Sequence, residues 1–273
     1  MFRLPDSVRM HLRGASEALA SVLFSAPCRI CGQVLDTGSR IPLCHACLAA
    51  LRKPLPEPVC DCCGRPIVST AVLTAAGPPQ CHLCRRDVYE FDLARSFGAY
   101  TKEMARAVLL LKYHEVTSLG GWFAERLAEI VRRDSPRFES DIVVPVPLHP
   151  ARLRERGYNQ AELIAQPLAR LLGIPYRSYL LVRTKPRPDK LKLTYRERWT
   201  SVRGAYAARE GARVDKLRVM LVDDVFTTGA TLDACSKVLR RAGAAQVAGL
   251  TVARALPSWV MPGAAQGYQD LEE

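Results

Sequence analysis

Residues 217–232 read LRVMLVDDVFTTGATL: an apolar run, two adjacent carboxylates, then a loop of small and hydroxylated residues. Val219, Met220, Leu221 and Val222 form a short run, rich in β-branched side chains and followed by a turn, so the pattern predicts a buried strand. Asp223 and Asp224 fall at its C-terminal end. In open α/β sheets ligands collect in the crevice beyond the carboxyl ends of the strands, so two acids placed there point to a site. Thr227, Thr228, Gly229, Ala230 and Thr231 carry no bulky side chain and lead into LDACSKVL, 232–239, whose apolar spacing is helical. Main-chain N–H groups and hydroxyls at a helix N-terminus can wrap a phosphate, helped by the helix dipole. The order of parts describes a clamp for a polyol and a phosphate, with the acids holding sugar hydroxyls directly or through a hydrated cation. A generic strand, turn and helix is the plain alternative, but the joint occurrence of all four parts is more specific than any one. The magnesium strand of a P-loop nucleotidase is excluded, because no G-x-x-x-x-G-K-[ST] occurs in the chain.

The chain has 273 residues, 48% hydrophobic and 24% charged, a globular composition with enough apolar material for a full core and a small second domain. It holds no run of ~18 uncharged apolar residues, so no membrane span is expected. Residues 8–24 read as an amphipathic helix, with a signal peptide as the alternative, and a cytoplasmic location is expected. The net charge is +12, and residues 145–203 hold 13 Lys and Arg against 4 Asp and Glu, a net +9. A solvated basic face would account for such a run. Placed around a phosphate site, it points to capture of a polyanion: a pyrophosphate, a nucleotide or a nucleic-acid backbone.

Eight of the ten cysteines form four C-x-x-C pairs, Cys28/Cys31, Cys44/Cys47, Cys60/Cys63 and Cys81/Cys84. The two-residue gap lets both thiolates of one turn reach a single ion, and two turns complete a tetrahedral site with Zn–S distances of ~2.3 Å. Disulfides are the rival; they suit small secreted chains, so zinc is favoured here. Gly32 and Gly64, each directly after the second Cys of a pair, fit a knuckle turn. Sequential pairing gives one site from Cys28, Cys31, Cys44 and Cys47 and another from Cys60, Cys63, Cys81 and Cys84; a cross-braced arrangement and the loss of one site stay open. His45, Cys62 and His82 lie inside pairs and are read as neighbours rather than ligands. A closed four-thiolate site leaves no position for an activated water, so one or two zinc ions here would be structural. Cys235 is expected to be a small core residue.

Elsewhere, residues 93–100 read as a strand, 103–113 as a helix, and 122–133 as an amphipathic helix with Phe123, Leu127, Ile130 and Val131 on one face. Lys112 follows three leucines and is expected to snorkel to the surface. Residues 141–146 read as a strand ended by its prolines. A basic loop, 152–157, follows, and then a helix opened by Asn159 with Glu162 three residues on. His149, between Leu and Pro, is read as structural. Residues 184–203, TKPRPDKLKLTYRERWTSVR, carry two prolines and no sustained apolar face, and read as a mobile lid.

The 217–232 segment resembles the phosphoribosyl diphosphate (PRPP) loop of type I phosphoribosyltransferases. With the paired C-x-x-C motifs, VVPVPLHPARLRERGYNQA at 143–161 and RERWTSVRGAY at 196–206, the chain resembles the ComF family, related to competence and GntX-like proteins, from about residue 28 to 255. The resemblance implies an α/β fold: a type I phosphoribosyltransferase-like parallel sheet flanked by helices at 91–258, behind a small Cys-rich double zinc ribbon at 25–90. An N-terminal helix at 1–24 and a flexible tail at 259–273 complete the expected organisation. It implies that Asp223 and Asp224 contact the ribose 2′ and 3′ hydroxyls and that Thr227, Thr228, Gly229, Ala230 and Thr231 cradle the 5′-phosphate, with magnesium accompanying PRPP. It further implies a pyrophosphate loop of Pro145, Val146, Pro147, Leu148 and His149, with Arg152, Arg154 and Arg156 nearby. The chain departs from the family in the lid. Where ComF proteins carry Gln and later R-x-x-N-V-R-G-A-F, it has Lys190-Leu191-Lys192-Leu193 and Ser201-Val202-Arg203-Gly204-Ala205-Tyr206.

Two functions of different classes follow. One is a phosphoribosyltransferase acting on a nitrogen acceptor, in which magnesium and arginines stabilise the departing pyrophosphate. The other is a non-catalytic module that binds PRPP, a nucleotide or single-stranded DNA during DNA uptake, with competence-machinery proteins as partners. Only 7% of residues are aromatic, so base stacking would fall to side chains such as Tyr113, Tyr158 and Trp199.

Overall fold

Parallel strands are buried on both faces and read as unbroken apolar runs rather than alternating ones. Strands β5 (Arg218–Phe226) and β6 (Gln246–Arg254) have that character and pair in parallel along their whole length at the centre of a four-stranded sheet. The sheet order is β1-β6-β5-β2, all parallel, with β1 at Leu93–Ala99 and β2 at Ile142–Pro145 on the edges. The computed structural model describes residues 27–35, 40–69, 72, 77–186, 193–257 and 260. The expected helix at 8–24, all of the expected tail except Val260, and Lys190, Leu191 and Lys192 of the lid lie outside the described residues.

The chain divides into two compact units, Met1–Leu51 and Arg52–Glu273. In the first, helix α1 (His45–Ala50) is capped by the Cys44 sulfur, which accepts the Cys47 amide. In the second, α2 (Lys102–Tyr113), α3 (Ser118–Arg133), α4 (Pro150–Arg156), α5 (Gln160–Leu172), α6 (Tyr195–Val202) and α7 (Ala230–Arg241) accompany the sheet. A two-stranded antiparallel ladder, β3 (Leu181–Arg183) with β4 (Tyr206–Ala208), sits at the root of the 184–205 excursion. The expected parallel sheet flanked by helices is present.

A local pattern repeats in the two cysteine segments. Pro27 bridges Val34 around Cys28 and Cys31, and Val59 bridges Pro66 around Cys60 and Cys63. Each turn closes alike, Cys28 N–H to Gln33 O at 2.7 Å and Cys60 N–H to Arg65 O at 2.7 Å. Gly32 and Gly64 stand at φ +78° and +69°, the left-handed region the knuckle requires.

Helices α3 and α5 approach so closely that only glycine fits at Gly120. A Cβ there would lie 2.5 Å from the Leu163 carbonyl oxygen, a backbone atom that cannot swing aside. Gly120→Ala is therefore expected to destabilise the protein by about 1–3 kcal/mol despite alanine's better helix propensity. Urea unfolding of the two proteins checks this, and an unchanged midpoint would show that the helices separate at little cost.

Three local expectations change. Strand β5 continues through Phe226, so Asp223 and Asp224 lie inside it, because β6 is long enough to keep pairing with them: Asp223 opposes Thr251 and Phe226 opposes Arg254. The expected basic loop at 152–157 is helix α4: His149 caps it by accepting the Ala151 amide at Nδ1, Pro150 opens it, and Gly157 closes it at φ +81°. Part of the expected lid is helix α6, held by a capping box between Thr194 and Glu197.

Candidate functional site

The C-terminal end of β2 lies beside the middle of β5, just before the acid pair. Pro145 pairs with Val222, and the Val146 amide donates to the Val222 carbonyl at 2.9 Å, so the chain leaves β2 level with Asp223. Two segments far apart in sequence, 145–149 and 223–231, thus meet on one edge of the sheet, where ligands of open α/β sheets collect.

Asp223 and Asp224 are both buried, 8% and 5% exposed, which for two adjacent acids demands compensation. Part of it is local: Asp223 Oδ1 accepts the Asp224 amide and Asp224 Oδ1 accepts the Val225 amide, each at 2.9 Å. The rest is an ion pair between the Lys112 ammonium, from the last turn of α2, and Asp224 Oδ2. The two acids are thereby driven apart. Burial, and then the charge of Asp224, hold the Asp223 carboxyl well above the usual carboxylate range. Burial is also the largest single influence on Asp224 and works against it, but the Lys112 charge together with the hydrogen bonds to Lys112, Asp223 and the Val225 amide outweighs it and keeps that carboxyl below the ordinary value. The pair is one charged and one neutral-leaning carboxyl, both buried, an arrangement that can both accept and donate toward hydroxyl groups.

Beyond β5, the loop turns at Gly229, whose φ is +84°. A Cβ there would lie 2.7 Å from both the Phe226 ring and the Tyr89 ring, so conformation and space both require glycine. Thr228 Oγ1 accepts the Ala230 amide at 3.3 Å, and the cap residue of α7, Gly229, has no side chain of its own to bond the first turn. Thr228, Gly229 and Ala230 are buried, whereas Thr227 and Thr231 are partly exposed. A twelve-residue helix that begins this way presents its positive end and first amides to the loop.

On β2 the succeeding loop is tied down by Asn159, whose Nδ2 donates to the Val146 carbonyl at 3.0 Å while its Oδ1 caps α5 through the Ala161 amide. Arg152 is paired with Glu155 at 3.1 Å on the exposed side of α4. Arg156 stacks its guanidinium 4.7 Å over the Tyr113 ring.

The eight paired cysteines gather as two groups, Cys28, Cys31, Cys44, Cys47 and Cys60, Cys63, Cys81, Cys84, each with all ligand atoms within 4.8 Å of one another. That is the sequential pairing. A tetrahedron with ~2.3 Å Zn–S bonds has sulfur–sulfur edges of about 3.8 Å. Cys31 and Cys44 lie at 3.6 Å and Cys63 and Cys81 at 3.7 Å, so both groups fit a zinc ion. All ten cysteines are free of disulfides, and neither group includes His45, Cys62 or His82. In the second group the close thiols drive one another apart: the hydrogen bond from Cys63 draws Cys60 down to about 6, while Cys63 and Cys84 are pushed up. Cys235 is wholly buried in α7, a core residue as expected.

Three residues of this region are assigned no role by the sequence, although the ComF resemblance places the segment of Lys112 near the cleft. Lys112 is buried, not snorkelling, and the signal was available: it lies four residues after Val108 and eight after Met104, on the buried face of α2. Tyr89 and Arg254 carried no such signal. Tyr89 donates to the Thr228 carbonyl at 2.9 Å; Arg254, 1% exposed, donates to the Cys63 carbonyl at 2.7 Å and lies 4.0 Å over the Phe226 ring. Both contacts join segments more than a hundred residues apart, beyond the reach of any local pattern.

Curated relatives cover most of the chain. It is 30% identical over 210 residues to the DNA utilization protein YhgH of Salmonella typhi, covering 75% of this chain and 87% of that protein. It is 29% identical over 218 residues to Competence protein F of Haemophilus influenzae, covering 78% and 90%. To Competence protein ComFC of Bacillus subtilis it is 28% identical over 216 residues, covering 78% and 84%. No family model matches the chain. Among solved structures, glutamine phosphoribosylpyrophosphate amidotransferase from B. subtilis aligns at 22% identity and TM-score 0.37, over 53% of this chain and only 30% of its own length. Adenine phosphoribosyltransferase from Saccharomyces cerevisiae aligns at 17% identity and TM-score 0.32, over 48% and 68%.

Proposed function

Because this chain belongs to the ComF family, with the competence and DNA-utilization proteins just described, we propose that it binds phosphoribosyl diphosphate, or a related phosphorylated ribose, with magnesium, and does so in the handling of incoming DNA. The observation that carries the reading is the convergence of the buried Asp223–Asp224 pair, the Gly229 turn and the loop after β2 at one end of the sheet. Asp223 and Asp224 would hold the ribose 2′ and 3′ hydroxyls. Thr227, Thr228, Gly229, Ala230 and Thr231 would surround the 5′-phosphate with amides and hydroxyls. Pro145, Val146, Pro147, Leu148 and His149 would face the diphosphate, with the net +9 of residues 145–203 drawing the anion in. Magnesium, when bound with the ligand, would neutralise the diphosphate. The two four-cysteine groups would hold structural zinc. The part in DNA uptake comes from the relatives' names, and a basic surface suits an anionic partner. Among the described residues no helix is long and apolar enough to cross a membrane.

Phosphoribosyl transfer to a nitrogen acceptor is the second reading, and one observation favours it. Trp199 and the exposed Tyr195 of α6 extend the aromatic row from Tyr89, with centroids 6.3 Å and 6.0 Å apart, a surface on which a planar base beside the phosphate loop would stack. Consumption of PRPP in the presence of candidate bases separates the two readings.

Titration calorimetry with PRPP and magnesium tests binding itself. Affinity is expected to fall at least about tenfold, ~1.4 kcal/mol, in the double variant Asp223→Asn and Asp224→Asn. Equal affinity in the two proteins would refute the assignment.

A further inference from the structure

We propose that Tyr89 is a positioning residue for the phosphate loop, and that the second four-cysteine group holds it in place, so that this group is part of the sugar-phosphate site's framework. The proposal rests on the binding function just argued, and extends it to residues outside the loop.

The peptide plane supplies the reason. In a trans peptide the carbonyl and the following N–H point in opposite directions. The Tyr89 hydroxyl donates to the Thr228 carbonyl at 2.9 Å and so fixes the direction of the Gly229 N–H, one of the amides that would meet the phosphate. The contact is enclosed. Tyr89 stacks on Phe91 at 4.7 Å between centroids and on Trp199 of α6 at 6.0 Å, and meets Phe226 edge-on at 6.3 Å. Its ring also occupies the space a side chain at position 229 would need. Burial pushes its phenol up, so it stays a proton donor. One residue on, the Glu90 amide donates to Asp233 Oδ1 at 3.0 Å, fastening the first turn of α7.

The segment that delivers Tyr89 starts at the last cysteine pair. Cys81 and Cys84 belong to the second group, and a 3-10 turn, Cys84–Arg86, runs to Asp87 in the left-handed region at φ 48°. The Cys60–Cys63 turn of the same group is clasped to the sheet. The Cys62 carbonyl accepts the Ala94 amide at 2.8 Å, and the Cys63 carbonyl accepts Arg254, which stacks on Phe226 three residues before Gly229. The cysteine turns thus reach the loop by two routes, through Tyr89 at Thr228 and Gly229 and through Arg254 at Phe226.

The test uses the full-length, zinc-loaded protein and two variants. Tyr89→Phe removes only the hydroxyl and keeps the ring; Tyr89→Ala removes both. Amide hydrogen exchange of peptides covering 227–232 is read without ligand, beside zinc content and PRPP titration. Tyr89→Phe is expected to speed exchange in 227–232 about fivefold, the size of one net hydrogen bond, and to weaken PRPP by a similar factor, with zinc content and exchange in β2 unchanged. Tyr89→Ala should exceed it in both. Wild-type exchange in 227–232 in both variants overturns the proposal. So does faster exchange with undiminished PRPP affinity, which would leave Tyr89 holding a loop that does not grip the ligand. If wild type itself fails to bind PRPP, the function proposed above falls, and the exchange measurement alone decides whether Tyr89 orders the loop. Uniformly faster exchange with lost zinc would assign Tyr89 a general folding role and also reject the proposal.

Discussion

Lys112→Met is expected to destabilise the protein by about 3–5 kcal/mol at neutral pH, the cost of leaving one member of a buried ion pair unpartnered. Both side chains are 7% exposed, so water does not screen the loss. Methionine matches the lysine stem in length and stays on the buried face of α2, one turn from Val108, so the cost comes from Asp224 rather than from a cavity. The pH dependence separates the two causes. In wild type the lowered Asp224 contributes stability that is present above its ordinary value of 3.8 and lost as pH falls through its folded value. Without Lys112 the two largest lowering causes are gone, and burial, the largest influence of all, is set only against the hydrogen bonds to Asp223 and Val225, so the native state binds more protons than the unfolded chain above that value. Stability of the variant should then fall as pH rises, and its deficit against wild type should be larger at pH 8 than at pH 5. Adding Asp224→Asn should recover part of the loss, since no charge is then left buried without a partner. Denaturant unfolding across pH decides it, and a deficit independent of pH would show that Asp224 finds another partner. A deficit of that size is a large fraction of the ~5–15 kcal/mol that holds a domain together.

Why Lys112 escaped a reading that found Asp223 and Asp224 says what a sequence can carry. The acid pair announces itself by its neighbours: four apolar residues before it and a glycine turn after it, all within one segment. The parts of the fold that follow from such local order were legible: β1, β2, α2, the helix after the loop, and the sequential cysteine groups whose spacing suits a tetrahedral ion. The lysine was on the page too, at helical spacing from Met104 and Val108, but charge argued for solvent, and only a carboxylate more than a hundred residues away reverses that argument. The same holds for Arg254, a charge at the end of the last strand that the Cys63 carbonyl and the Phe226 ring make tolerable in the core. Helix α4 was missed for a different reason. Its apolar content is low, and what forms it is end chemistry: His149 and Pro150 at one end and Gly157 at the other. Pattern finds faces that are buried; it does not find partners that come from elsewhere in the chain.

Removal of zinc is expected to have the largest effect of all. Metal analysis of the purified protein should give about two zinc ions per chain, one for each tetrahedral sulfur group, and fewer than one would reject the assignment. In the first unit the apolar support among the described residues is slight, chiefly Ile30, Leu43 and Leu51 beside the cysteines themselves. A structural zinc supplies an apparent ~10–16 kcal/mol, more than so small a core can replace, so a strong chelator should erase the ordered structure of that unit. The second group differs in where its loss would travel. Carbonyls of its Cys60–Cys63 turn are bonded to the sheet: that of Cys62 to Ala94 and Arg95 of β1, and that of Cys63 to Arg254 of β6. Cys63→Ser should therefore raise hydrogen exchange beyond the knuckle, at the adjoining ends of β1 and β6. It should also lower the unfolding midpoint of the sheet, because Arg254 is left in the core with a loosened acceptor. If instead exchange rose only within 58–86 and the sheet unfolded at its wild-type midpoint, the bonds to Cys62 and Cys63 would be contacts without consequence, and the cysteine group would be a passenger on the sheet.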